Sequence, residues 1–431
     1  MKTTNHILTL ILALILFSPN TYSQKKPEKS DKDKKEKTYS DIITDKAITD
    51  EGLFEVHKIG EKYYYEIHDS LLERDMLMVT RIAKMAKEIP LGAHKLSEQV
   101  LSWQKFDNNL LLKELSFSNY ASDSLPIKEA VSNSNFEPII ASFKIEVENK
   151  DKNTFVIDVT NLYKSDVKSF GYPQSYRKRN KISSLDTKLS FIESIRSFPL
   201  NIEAKHIKTY KSSDAKNGQI SMLLNNSMIL LPKKPMKRRY FDERVGWFTT
   251  SQTDYGIDNQ EAESVTYLDR WRLEVKDEDI EKFKNGELVE PKKPIVYYID
   301  RATPKKWRKY LKQGIEDWNA AFEEAGFKNA VICKDPPSKE EDPDWSPEDV
   351  RYSTVRYLAS STLNANGPHV SDPRSGEIIE SDINWYHNVM KLLRNWYFVQ
   401  TSAVDPEARG VEFRNEVMGE LIRFVSSHEF G

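Results

Sequence analysis

Apolar and polar residues alternate in short stretches through the first two thirds of the chain, and the period then changes. Leu53-Phe54-Glu55-Val56-His57-Lys58-Ile59 alternates roughly, Gly60-Glu61-Lys62 turns, and Tyr63-Tyr64-Tyr65-Glu66-Ile67 returns, which predicts a hairpin. Met76-Leu77-Met78-Val79 is a further short apolar run. Val100 to Phe106 and Leu110 to Phe117, parted by Asp107-Asn108-Asn109, predict a second hairpin. Phe143 to Val147 and Thr154 to Val159 flank a polar turn and predict a third. From about Gly52 to Leu273 the pattern therefore reads as packed β-sheet with a few helices. No fixed-period repeat is visible. This stretch shows no nucleophile–base constellation and no glycine-rich phosphate loop. His57, His68, His94 and His206 are scattered without ligand spacing and read as structural or exposed.

At about Pro291 the period lengthens. Ile295 to Ile299 reads as a buried strand, Thr303 as an N-cap, and Pro304 as a first-turn residue. Trp307, Leu311, Ile315, Trp318 and Phe322 then recur every three or four residues, and Gly326 suits a C-terminal cap. A second strand at Ala330 to Cys333 completes a strand–helix–strand unit. Asp335 to Asp349, rich in Pro, Asp and Glu, predicts an exposed loop without calcium-ligand spacing. Arg351 to Leu358 and Glu377 to Ile383 read as strands on either side of the turn Asp372-Pro373-Arg374-Ser375-Gly376. Trp385 to about Gln400 and Glu412 to Gly431 read as helices. In the last one Phe413, Val417, Leu421, Phe424 and Val425 form an apolar stripe, from which His428 projects with Glu429 close by. Polar groups on a buried face are costly without a partner, and a metal would supply one.

Composition adds limits. The chain has 431 residues, 39% hydrophobic and 30% charged, which suits a globular protein of two or three domains. A formal net charge of −2 gives no reason to invoke nucleic acid. Lys2, the apolar run Ile7 to Phe17 and Thr21-Tyr22-Ser23 predict a secretory signal peptide over residues 1–23, and no later stretch is apolar enough for an integral membrane segment. Residues 24–40 begin with a Lys-rich run that predicts a disordered leader. The single cysteine, Cys333, excludes an intrachain disulfide and reads as a small core residue.

Chemistry is concentrated at the end. The terminal His428-Glu429-Phe430-Gly431 is four residues of a His-Glu-x-x-His pattern, in which two histidines on one helix face hold zinc and the Glu activates metal-bound water. A His-Glu pair alone is a weak signal. His369 and His387 lack ligand spacing and read as surface or core residues.

More extended likeness comes from order along the chain. Gly314-Ile315-Glu316-Asp317-Trp318-Asn319-Ala320-Ala321-Phe322 with Ala325-Gly326-Phe327, then Asp372-Pro373-Arg374-Ser375-Gly376-Glu377-Ile378, then His428-Glu429-Phe430-Gly431, resembles the EcxA-like branch of the metzincin metallopeptidases. Asp242-Glu243-Arg244-Val245-Gly246-Trp247-Phe248 and Arg270-Trp271-Arg272-Leu273-Glu274 resemble regions that precede this domain in large secreted bacterial members. The resemblance implies an α+β chain, with a β-rich N-terminal region of unknown role (41–285) followed by the N-terminal part of a metzincin-like zincin domain (291–431), a mixed sheet with packed helices.

The resemblance also implies a secreted or periplasmic zinc-dependent endopeptidase acting on protein or peptide substrates. Its cofactor is Zn2+, with His428 as the first ligand and Glu429 as the general base. An edge strand pairing with extended substrate is expected near Gly367-Pro368-His369-Val370-Ser371. The second His, the third ligand and a Met-containing turn are expected beyond Gly431, so the chain reads as an incomplete and inactive front part whose last turn, Ser426 to Gly431, frays. Two other readings stay open. One is a secreted non-catalytic binding or scaffold protein derived from a metzincin. The other is a metalloprotease of another clan, with a downstream Glu as third ligand.

Overall fold

The computed structural model describes residues 37–85 and 95–431. The expected signal peptide, the leader up to residue 36, and His94 lie outside the described residues. The end of the expected leader is ordered: Tyr39–Ile42 is a helical turn, and the Tyr39 hydroxyl donates to Glu66 at 2.6 Å.

The predicted hairpins all form. In chain order the strands of the first region are β1 (Ile48–Asp50), β2 (Glu55–Ile59), β3 (Lys62–His68), β4 (Met76–Met85), β5 (Lys95–Phe106), β6 (Asn109–Leu115), β7 (Asn119–Tyr120), β8 (Ile139–Asn149) and β9 (Thr154–Asp158). They continue with β10 (Ile182–Leu185), β11 (Phe191–Ser197), β12 (Asn201–Ser212), β13 (Gln219–Leu230), β14 (Thr249–Asp254) and β15 (Glu263–Leu268). One antiparallel sheet runs β1-β2-β3-β9-β8-β6-β5-β4-β13-β12-β10, with β11 also on β12. It bends into a nearly closed barrel, because the end of β11 returns to the first hairpin. There Leu53 N–H donates to Phe198 O at 2.8 Å, and Ser197 Oγ donates to Phe54 O at 2.7 Å. A side chain at Gly52 would place its Cβ 2.5 Å from Ser197 Oγ, so this seam requires a glycine. The interior is aromatic: Phe54, Tyr65, Trp103, Tyr163 and Phe170 are all buried.

The unalternating run at Met76 to Val79 has a structural reason. Met76 and Met78 face the barrel core, while Leu77 and Val79 pack with Val350 and Val370 of the C-terminal region. A strand covered on both faces loses its polar alternation. A small sheet, β15-β14-β7, stands beside the barrel.

The C-terminal strands are β16 (Ile295–Ile299), β17 (Val331–Lys334), β18 (Ser353–Leu358), β19 (Ala365–Asn366), β20 (His369–Asp372), β21 (Glu377–Ser381) and β22 (Ile383–Tyr386). Five form a mixed sheet in the order β17-β16-β18-β22-β19. The first four are parallel and β19 is an antiparallel edge. Strands β20 and β21 pair separately. Upstream of Pro291, Trp271, Leu273, Val275 and Phe283 already pack on this core, so it begins earlier than the change of period suggests.

Four local expectations need correction. The helix after β16 is interrupted, giving Lys305–Glu316 and Asn319–Glu324. Side chains at the break are committed elsewhere: Asn319 exchanges two hydrogen bonds with the Val331 backbone, and Trp318 Nε1 donates to Ser427 O. Glu377 to Ile383 is two strands in different sheets, parted at Asp382, whose carboxylate accepts from Thr354 N–H and Arg356. Trp385 belongs to β22, buried, and the helix begins only at Val389. The acidic loop is not wholly exposed, since Trp345 is buried against Tyr298 and Tyr352, and Asp349 is buried on Arg351. Gly326 has φ +93°, with Gly326 N–H to Glu323 O and Phe327 N–H to Phe322 O, the paired bonds of a left-handed glycine cap.

Candidate functional site

The last helix, Asn415–Phe430, packs along Lys305–Glu316 through small residues. A Cβ on Gly419 would sit 2.1 Å from the Tyr310 ring, and one on Gly314 would sit 2.3 Å from Arg423 O. Ser426 Oγ donates to Leu311 O at 2.8 Å, and Arg423 forks onto Asp317 with two bonds of 2.7 Å. The buried side is therefore Met418, Gly419, Ile422, Val425 and Ser426. Of the stripe expected from large residues Val425 is buried and Phe413 and Leu421 pack partly on the core, but Phe424 is 65% exposed and His428, four residues on, is also exposed.

The last turn is held rather than frayed. Phe430 packs on Tyr297 and Trp318 with ring centres 5.4 and 6.0 Å apart. Beside it Glu429 is half-buried, and its backbone lies against Gly367, next to the edge of the five-stranded sheet. A Cβ on Gly367 would lie 2.2 Å from Glu429 O, so only a glycine allows this approach. Burial raises the Glu429 pKa, and His428 and the Gly367 N–H limit the rise. Among the described residues no hydrogen bond reaches the His428 ring. A free imidazole next to a half-buried carboxyl fits one metal ligand and an adjacent proton acceptor.

The edge strand lies slightly upstream of the expected segment. Ala365–Asn366 is the edge of the large sheet, and Gly367 and Pro368 carry the chain away from it. His369 to Ser371 are occupied otherwise. His369 Nε2 bonds Asp269 at 3.0 Å, Ser371 Oγ donates to the same carboxylate, and Val370 is buried between the two regions. His387 bonds the Tyr357 hydroxyl at 2.8 Å. Cys333 is buried, and burial raises its thiol pKa well above the usual value, which leaves it inert.

Sequence reading missed a polar cluster around Glu66. Glu55, His57 and Glu66 offer three ligand atoms within 4.8 Å of one another. They are already satisfied: His57 bridges Thr49 and Glu66, Thr154 and Tyr39 donate to Glu66, and Lys152 occupies Glu55. Burial alone would raise the Glu66 pKa, but the bonds from His57, Thr154 and Tyr39 outweigh it and bring it to about 2. The cross-strand pairs Thr49↔His57 and Glu55↔Glu66 bring these groups together, a register that sequence spacing does not reveal.

Residues 93–276 match DUF5117, a domain of unknown function. Residues 36–85 match a second, DUF5118. The two matched segments cover the barrel-like sheet and the small sheet beside it, and they stop before the five-stranded sheet. No curated protein and no solved structure matches the chain. No described helix is long and apolar enough to cross a membrane.

Proposed function

We propose that the chain carries part of a secreted, zinc-dependent, metzincin-like endopeptidase, with His428 as one zinc ligand and Glu429 as the general base. The observation that carries this reading is the end of the last helix. An exposed imidazole with no hydrogen-bond partner among the described residues precedes a half-buried glutamate, whose backbone lies against Gly367 beside the antiparallel edge of a sheet. Bound zinc would polarise a peptide carbonyl and lower the pKa of water. Glu429 would accept a proton from that water at its carboxylate oxygens and pass it to the leaving amine. The close approach of Gly367 to the Glu429 backbone sets this residue beside the sheet edge, and the free edge of β19 offers main-chain hydrogen bonds to an extended peptide.

The reading requires at least two further ligands, since a catalytic zinc needs about three from protein. Among the described residues no group of three donors includes His428. The alternative is a secreted binding or scaffold protein without catalysis. The native gene product decides between them. Zinc content and peptide hydrolysis are measured for wild type and Glu429→Gln. The proposal expects one zinc per chain in both and a loss of about a hundredfold or more in kcat for the variant. Metal-free wild type, or unchanged turnover in the variant, overturns it.

A further inference from the structure

A cavity of about 780 Å³ opens between β7, the helix Ile127–Ser134 and the turn that carries Arg374. This volume suits a small organic molecule. Leu115, Phe117, Val131 and Met236 give it apolar walls. Its lining charges are paired, with one exception. Arg374 bonds Asp75 at 2.7 Å, Lys128 meets Asp123 at 3.2 Å, and Glu137 meets Lys113 at 3.2 Å. Arg238 has no carboxylate within ion-pair distance among the described residues.

Arg238 is nevertheless fixed. Its guanidinium lies 4.4 Å from the centre of the Tyr120 ring and 4.6 Å from that of Tyr267. Nε donates to Arg374 O at 2.7 Å and Nη1 to the Tyr267 hydroxyl at 2.9 Å. Nη2 is left without an acceptor among the described residues. An arginine clamped between two rings and lacking a counter-ion is a preorganised anion receptor, because the side-chain entropy is already lost.

We propose that this cavity binds an apolar carboxylate, with Arg238 recognising the anion and the Leu115, Phe117, Val131 and Met236 walls taking the body. The charge balance selects a monoanion. Asp75, Asp123 and Glu137 share the lining, so a doubly charged phosphate would meet three carboxylates and only one unpaired cation. The site does not depend on peptidase activity. Apart from Arg374, its lining residues lie in segments matched to domains of unknown function.

Calorimetry on the full chain tests this with three probes: N-acetyl-phenylalanyl-leucine, its C-terminal amide, and octanoate. The acid should bind about tenfold or more tightly than the amide, and Arg238→Gln should erase that preference. Binding of the dipeptide acid without octanoate marks a peptide end as the ligand, and the reverse marks a lipid. Ser132→Trp, at an exposed lining position, should block every probe without disturbing the core. The proposal falls if wild type binds acid and amide equally or binds no probe at millimolar concentration. It also falls if Arg238→Gln keeps the preference, or if Ser132→Trp binds the acid as wild type does.

Discussion

In the barrel-like sheet Glu203, His206, Lys208 and Asn226 are buried to 4% exposure or less, whereas the last helix buries Gly419, Ile422, Val425 and Ser426 and leaves His428 in solvent. The barrel partners most of these groups through side-chain and backbone bonds, although His206 Nδ1 and Asn225 Oδ1 have no partner among the described residues. Glu203 accepts from Asn201, Asn225 and Ser227, Lys208 donates to Tyr163 O and Ser165 O, and His206 bonds Asn226. Burial still moves their pKa values, lowering Lys208 to about 8 and His206 to about 3. The helix instead puts one polar side chain, Ser426, on its contact face and uses small residues to bring backbones together. One region is built around buried polar networks. The other is close-packed, with one polar end left open for chemistry.

If that contrast is right, the largest effect comes from adding one methyl group to the close-packed region. Gly314→Ala would push a Cβ against Arg423 O, a backbone atom that cannot swing aside as a side chain would. We expect a loss of about 3 kcal/mol, the upper part of the usual range for overpacking. Hydrogen exchange should show faster exchange along Lys305–Glu316 and Asn415–Phe430, with β12 and β13 unchanged. Equal loss of protection in both regions would show that they unfold as one and would break the comparison.

The barrel is sharpened by pH. Glu203 has its pKa raised to about 7 by burial, which outweighs the bonds from Ser227 and Asn225. The folded chain therefore holds a proton that the unfolded chain releases above the ordinary 4.5. Its contribution is fully present below about 4.5 and is lost as pH rises through 7. Glu66, lowered to about 2, has the opposite sign: its contribution is present above 4.5 and is lost as pH falls towards 2. Denaturant unfolding between pH 4.5 and 7 should show a decline of roughly 2 to 3 kcal/mol that Glu203→Gln removes. Persistence of the full decline in Glu203→Gln would assign it to another group.

The same contrast governs what could be read from sequence. Hairpins such as β2–β3 and β5–β6 were legible because the polar turns Gly60-Glu61-Lys62 and Asp107-Asn108-Asn109 mark them, and β6 keeps its alternation with Leu110 and Leu112 buried. Trp385 was placed in a helix because β22 is a central strand, and Ile383, Asn384 and Trp385 are all buried. A run buried on both faces carries no period. At the candidate site His428 and Glu429 were legible as residues, but their orientation was not. The expected stripe shared Val425 with the contact face but also took in the exposed Phe424, while the contact face runs on through Gly419 and Ser426, whose smallness hides it from a hydrophobicity pattern. Gly367 was assigned to substrate binding, and its proximity to Glu429 follows only from the sheet order that makes β19 an edge. Arg238 carried no signal, because its counter-ion is missing only in three dimensions.

The smallest expected effect concerns the open end of the close-packed helix. Trp318 Nε1 donates to Ser427 O at 2.8 Å, one turn before the helix ends, and its ring also packs on Phe430. Trp318→Phe keeps an aromatic ring there and removes the donor, leaving a last-turn carbonyl without that partner. A single neutral hydrogen bond contributes about 1 kcal/mol. The amides of Ser427 to Phe430 should then exchange about fivefold faster, with Lys305–Glu316 unaffected. The alternative is that aromatic packing alone holds this turn, in which case Trp318→Phe would leave exchange unchanged and Phe430→Ala would release it. Either result identifies what holds the turn that carries Glu429, since Ser427, Glu429 and Phe430 belong to that same last turn.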